Sequence, residues 1–223
     1  KRVGRVRWVV KDLGAVEEGW AKLGFPAVDL GVLDASGTYA GQSGPARLRM
    51  ARARLAGAEV VWVQPLGGGT AFGDHRARRG EGVMSVNYAA PSLEALEAEV
   101  KRLSGLGVSV LQRGEVQTPA GPLVVVHMDT AAQGKYVLGL VSGEAPPLPE
   151  AAVTPPVPLK LSQYALVVKS LEDVSAYWER LGFPKMDVTH GTLTDLVHRG
   201  KPGTFDQRLG WHRHGTVTWE WIE

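Results

Sequence analysis

The chain has 223 residues, 44% of them apolar and 22% charged, with a formal charge of +2 at pH 7. These shares are those of soluble globular domains and exclude disorder and fibrous repeats, and a charge so close to zero excludes a broad polyanion-binding face, so no nucleic-acid partner is expected. The chain contains no cysteine, which removes disulfides, thiolate nucleophiles and thiolate metal ligands and fits a cytoplasmic location.

The first residues, Lys1-Arg2-Val3-Gly4, run straight into a strand-like pattern without the apolar core of a signal peptide, and without an initiator Met, so a few leading residues are expected to be missing. Apolar stretches such as 60–63 and 123–126 are far shorter than the roughly 20 residues that cross a bilayer, so no membrane span is expected.

The run Val9-Val10-Lys11-Asp12-Leu13 reads as a strand followed by a turn. Val16, Trp20 and Leu23 then fall at the i, i+4, i+7 spacing of one helix face. Gly24 suits a left-handed helix end, and Pro26 prevents continuation. Three strands are expected next, over about 27–33, 46–55 and 58–64, with turns at Ser36-Gly37 and Ser43-Gly44-Pro45. Gly67, Gly68 and Gly69 lack the Lys and Ser or Thr of a phosphate loop and read as a turn. The basic cluster Arg76, Arg78 and Arg79 after His75 reads as a solvated connector.

A second copy of the same order follows: a strand over 83–89, a helix from the N-cap Ser92 with Leu93, Leu96, Val100 and Leu103 on one stripe, and strands over about 108–112, 123–128 and 135–141. The stretch from Gly143 to Lys160 holds too many prolines for a helix or interior strand and reads as a linker in polyproline II form, able to span on the order of 50 Å. The opening motif then returns at a constant offset as Val167-Val168-Lys169-Ser170-Leu171, Val174, Trp178 and Leu181-Gly182-Phe183-Pro184. Strands over about 185–198, 205–212 and 216–222 complete a third copy, and Glu220-Trp221-Ile222-Glu223 matches Val61-Trp62-Val63-Gln64.

The doubled opening motif, with Val63-Gln64-Pro65-Leu66 and the later Arg79-Gly80-Glu81-Gly82-Val83, resembles the vicinal oxygen chelate superfamily of glyoxalases, bleomycin-resistance proteins and methylmalonyl-CoA epimerases. The resemblance implies an α+β chain of βαβββ modules. Two are paired over residues 1–143 into a curved eight-stranded cup, 144–160 is the linker, and 161–223 is a third module. It also implies a divalent metal held by one residue on the first strand and one on the last strand of each module. Such a metal polarises two neighbouring substrate oxygens while a carboxylate takes the adjacent proton.

Placed on those positions, module one offers Arg5 and Val61, and module two offers about Ser85 and Leu138 or Gly139, none of which makes a ligand set. Module three offers Gln163 and Glu220 as metal ligands, with Glu220 also the catalytic carboxylate. The metal is then nickel, zinc, cobalt, manganese or iron, unless the protein works without one. Half a site needs another half: either the natural chain continues past Glu223 into a fourth module, or module three pairs with its copy in a homodimer.

Two functions stay open. One is a metal-assisted isomerase, epimerase or lyase acting next to a carbonyl of a small molecule. The alternative is a metal-free small-molecule binding or resistance-type protein whose cup is rimmed by Arg5, Trp8 and Trp62, Arg5 holding an anion. A scaffold role for modules one and two is a further possibility. His127 and Asp129, at alternate positions, are candidates to face the first cup, and His190, His198, His212 and His214 gather in the last module.

Overall fold

The computed structural model describes residues 3–25, 27–55, 58–145, 148, 162–214 and 217–223. The chain divides into two units, one over 1–131 and 136–161 and the other over 132–135 and 162–223. Most of the expected linker, 144–160, lies outside the described residues.

Unit 1 contains two successive βαβββ runs. The first is β1 (Val3–Val9), α1 (Leu13–Lys22), β2 (Val28–Tyr39), β3 (Gln42–Leu55) and β4 (Ala58–Gly68). A helix α2 (Ala71–Arg79) leads to β5 (Gly82–Ala89), α3 (Leu93–Gly105), β6 (Val110–Thr118) and β7 (Gly121–Met128), and after a single turn α4 (Ala131–Gly134) comes β8 (Val137–Ser142). The strands close into a barrel in the order β1-β4-β3-β2-β6-β7-β8-β5. Within each run the first and last strands pair in parallel, Arg7 opposite Val61 and Ser85 opposite Val137. The two runs meet along β1 and β5, where Arg7 lies opposite Ser85, and again where Gly37, Thr38 and Tyr39 pair with Gly114, Arg113 and Gln112.

That second seam makes the expected cup a closed barrel, and the longer β2 and β3 explain it. Both strands run through the residues expected to turn at Ser36-Gly37 and Ser43-Gly44-Pro45, which carries β2 far enough to reach β6. Helix α2 was also not expected, because its segment carries little apolar periodicity. It is capped by Thr70, whose hydroxyl accepts from Gly73 N, and it buries Ala71 and Phe72. Its basic end is anchored, with Arg76 donating to Pro65 O at 3.1 Å and Arg78 lying 3.2 Å from Asp74.

The apolar residues of β1 and β4 serve two cores by simple alternation. Val10, Val60 and Trp62 pack under α1 with Leu13, Val16 and Trp20, while Val9, Val61 and Val63 face the interior with Phe72, Met84 and Val137.

Unit 2 is one βαβββ run: β9 (Gln163–Val167), α5 (Leu171–Arg180), β10 (Asp187–His198), β11 (Lys201–His214) and β12 (Val217–Ile222). Its sheet runs β10-β11-β12-β9, with Glu220 opposite Ala165 on the parallel β12–β9 pair. Trp219, Trp221 and His212 are buried with the α5 residues Val174 and Trp178. The other face, which carries Gln163, Ala165, Val167, Glu220 and Ile222, is only partly covered, and Val167 is 82% exposed.

The repeated Trp…Leu-Gly-Phe motif has a single structural cause. Gly24 and Gly182 adopt φ of 83° and 84°. Phe25 N and Phe183 N reach back to Trp20 O and Trp178 O at 2.9 and 3.0 Å, the Schellman arrangement. Each Phe ring then packs edge-on against the Trp of the last turn, with centroids 6.0 and 4.9 Å apart. Ser92 caps α3, as expected, by accepting from Ala95 N.

Candidate functional site

Two groups of polar side chains stand out, one in each unit. In unit 1 they lie inside the barrel. Arg5 and Arg7, two residues apart on β1, point inward together with Ser85 and Asn87 of β5 and His127 of β7. Arg7 NH1 and Ser85 Oγ each lie 3.5 Å from His127 Nε2, and Asn87 donates to Ser85 Oγ at 3.1 Å. Ser85 and Asn87 are fully buried, and His127 is 1% and Arg7 9% exposed.

Gly139, paired with both Asn87 and His127, is what makes room for this cluster. A Cβ there would lie 1.9 Å from Asn87 Oδ1. Phe72 of α2 closes the interior from the other side, edge-on to the His127 ring with centroids 5.5 Å apart. The same helix is held down by Gln112 Oε1, which accepts from Ala71 N at 2.7 Å, and by a short hydrogen bond from the Tyr39 hydroxyl to Asp74.

Electrostatics follow from burial. His127 is held well below the usual imidazole range, first by burial and then by the Arg7 charge, so its ring is neutral at pH 7. A neutral Nε2 that faces a guanidinium must be the acceptor, which places the ring proton on Nδ1. Burial, with the Arg5 charge second, lowers Arg7 to about 10, and at pH 7 it remains a cation. Arg5 is paired: its Nε lies 2.8 Å from Glu59, which Arg52 also reaches at 3.0 Å.

In unit 2 the first-strand and last-strand positions come together. Gln163 Nε2 donates to Glu220 Oε2 in a short hydrogen bond on the partly covered sheet face. Trp211 lies beside Glu220 on β11 and donates through its indole to Thr189 Oγ1 at 3.1 Å. Among the described residues no group of three or more His, Asp or Glu side chains is placed to hold a metal ion.

The remaining expected site residues are placed as follows. Arg5 and His127 face the barrel interior. Trp8 and Trp62 do not: both pack on the α1 side, where Trp20 lies 6.2 and 5.7 Å from them, centroid to centroid. The pleat is the reason, because Arg5 and Trp8 are three residues apart and so point to opposite faces. Asp129 is exposed and does not orient His127. His190 and His198 are exposed on β10, and His212 is buried against Trp221 on the α5 side, away from Glu220. The His214 side chain lies outside the described residues. Sequence reasoning missed Arg7 and Asn87, although their period-two spacing from Arg5 and Ser85 was the available signal.

A variant of 4-hydroxymandelate synthase from Streptomyces coelicolor aligns over 100% of this chain and 62% of its own, at 17% identity and a TM-score of 0.55. The fold is the vicinal oxygen chelate fold. Two methylmalonyl-CoA epimerases are also similar. The Mycobacterium tuberculosis protein is 20% identical over 65% of this chain and 89% of its own, with a TM-score of 0.46. The Streptomyces coelicolor protein, in complex with 2-nitronate-propionyl-CoA, is 19% identical over 65% and 99%, with a TM-score of 0.45. This chain thus spans 62% of the length of the synthase. No family model and no curated protein sequence matches it. Gln163 and Glu220 lie on the first and last strands of the run in unit 2, and Val9, Val61, Phe72 and Met84 are packed among the interior side chains of unit 1. No helix of the described residues is long and apolar enough to cross a membrane.

Proposed function

We propose that the chain is a metal-assisted enzyme of the glyoxalase type acting next to a carbonyl of a small molecule, with its centre on residues 162–223. The observation that carries this reading is the pairing of Gln163 with Glu220 on the partly covered face of β9 and β12. A carboxylate and a carboxamide oxygen suit hard or borderline divalent cations such as manganese, cobalt, nickel or zinc. The Gln163 amide presents its oxygen after a half-turn of the terminal torsion, which leaves the side chain in place. When bound, such a metal supplies Lewis-acid polarisation of neighbouring substrate oxygens. Glu220 is the carboxylate beside that position for moving a proton.

Two oxygen ligands are half a set, and a two-fold axis through the uncovered face would bring two Gln163 and two Glu220 side chains around one centre. The apolar residues on that face, Val167 at 82% exposure and Phe205 at 45%, are consistent with such pairing in a homodimer.

Equilibrium dialysis of the protein against manganese or nickel, combined with analytical ultracentrifugation, tests the proposal. The expected result is one metal per two chains, a dimer strengthened by metal, and at least about ten-fold weaker binding in Glu220→Gln. Absence of metal binding, or binding unchanged in both Glu220→Gln and Gln163→Ala, overturns it.

A further inference from the structure

The barrel interior of unit 1 contains a cation, Arg7, that makes no ion pair among the described residues and feels the Glu59 carboxylate only at a distance. Glu59 is the carboxylate paired with Arg5 and Arg52, at 2.8 and 3.0 Å. Arg7 lies deeper, its one described polar contact is the neutral His127 ring at 3.5 Å, and its Nε has no hydrogen-bond partner among the described residues. His127 Nδ1 and Asn87 Oδ1 are buried in the same condition. A buried charge left without a counter-charge is strongly unfavourable, and buried polar atoms without partners are uncommon in native proteins. Three in one cluster, two of them N–H donors beside a fixed positive charge, mark a place prepared for an acceptor of negative charge.

We propose that unit 1 binds the carboxylate of a small organic acid inside its barrel, at the Arg7 guanidinium. Arg5 and Arg52 share the one Glu59 carboxylate, so with Arg7 the described interior side chains carry an excess of positive charge that an anion offsets. A guanidinium fork matches the planar carboxylate. The neighbouring interior side chains, Val9, Val61, Phe72 and Met84, are apolar and favour an acid with a short carbon tail over an inorganic oxyanion. Asn87 fixes Ser85 by donating to its Oγ and leaves the hydroxyl proton to point at His127 or the ligand. An eight-stranded barrel holds at most one small ligand beside its interior side chains, which limits the occupant to a single small acid. The way in is the seam where residues 37–39 meet 112–114, the shortest ladder described in the barrel, beside a cavity of about 50 Å³ lined by Tyr39, Thr70 and Gln112. This inference uses unit 1 alone and does not depend on the metal reading of residues 162–223.

Acetate is the probe. Thermal unfolding of the protein is followed at fixed ionic strength in sodium acetate, sodium chloride and sodium phosphate, and binding of 13C-acetate is followed by NMR line broadening. Acetate is expected to raise the unfolding midpoint saturably, on the order of 5 °C at a hundred-fold excess over its Kd, with chloride and phosphate giving less than half of that. Arg7→Met is expected to abolish both the shift and the broadening, and Ser85→Ala, which keeps the charge should Arg7→Met fail to fold, to weaken acetate about ten-fold. The proposal is overturned if acetate neither shifts nor broadens in the unmodified protein. Equal responses to all three anions, or an Arg7→Met or Ser85→Ala variant that responds like the unmodified protein, overturn it as well.

Discussion

Buried beside Arg7, His127 makes the protein sensitive to acid in a direction that can be worked out. In the unfolded chain its pKa is the ordinary 6.5; in the folded barrel burial and the Arg7 charge depress it well below that. Above pH 6.5 the ring is neutral in both states and contributes nothing. As pH falls below that value, the unfolded chain takes up a proton that the folded one refuses, so stability drops. His75 and His212 are shifted the same way, chiefly by burial. His127→Gln is therefore expected to flatten, without abolishing, the decline of urea midpoints between about pH 6.5 and 5; an unchanged slope would refute the assignment. Arg5 and His127 were legible in the sequence as inward-facing candidates because residue type and strand position sufficed. Arg7 was not, because a guanidinium next to another guanidinium reads as surface until three strands are seen to converge on it. Trp8 and Trp62 misled for the opposite reason: aromatic residues suit a pocket wall, but here the pleat gives them to the helix.

At the scale of elements, the Leu-Gly-Phe motif is the clearest case of sequence dictating structure. The glycine is the residue with the left-handed backbone, and the following Phe both closes the hydrogen-bonded turn and packs on the helix's last Trp. Gly182→Ala is expected to cost about 1–2 kcal/mol, because an L-residue is strained at φ 84°. Chemical denaturation measures this, and a loss below about 0.3 kcal/mol would mean that the turn relaxes. The same cost is expected for Gly24→Ala. Helix α2 shows the reverse. Thr70 was available as a cap, yet the segment lacks an apolar stripe, and much of what holds it comes from Gln112 and Tyr39, at distant positions in the sequence, besides the nearby Pro65.

For unit 1 as a whole, the decisive event is closure. Residues 37–39 and 112–114 join the open ends of the two βαβββ runs, and Gly37 permits it, since a Cβ there would lie 2.3 Å from Arg113 O. Gly37→Ala is expected to open this seam while leaving the two α-covered cores folded. Amides 38–40 and 112–114 would then lose hydrogen-exchange protection by at least about ten-fold, with the β1–β4 amides unaffected. Uniform protection across both seams in the variant would show that the barrel is not held there.

The sequence alone determined the three βαβββ runs and their helix ends, and it put Gln163 and Glu220 on the first and last strands of the third. Those features depend on local chemistry and on strand alternation, both of which are written in residue order. Tertiary structure alone decided that the cup of unit 1 closes, that α2 packs against its interior, and that Arg7, Ser85, Asn87 and His127 meet in a buried space. These depend on how far strands extend and on which distant side chains share one buried space, and no periodicity along the chain encodes either.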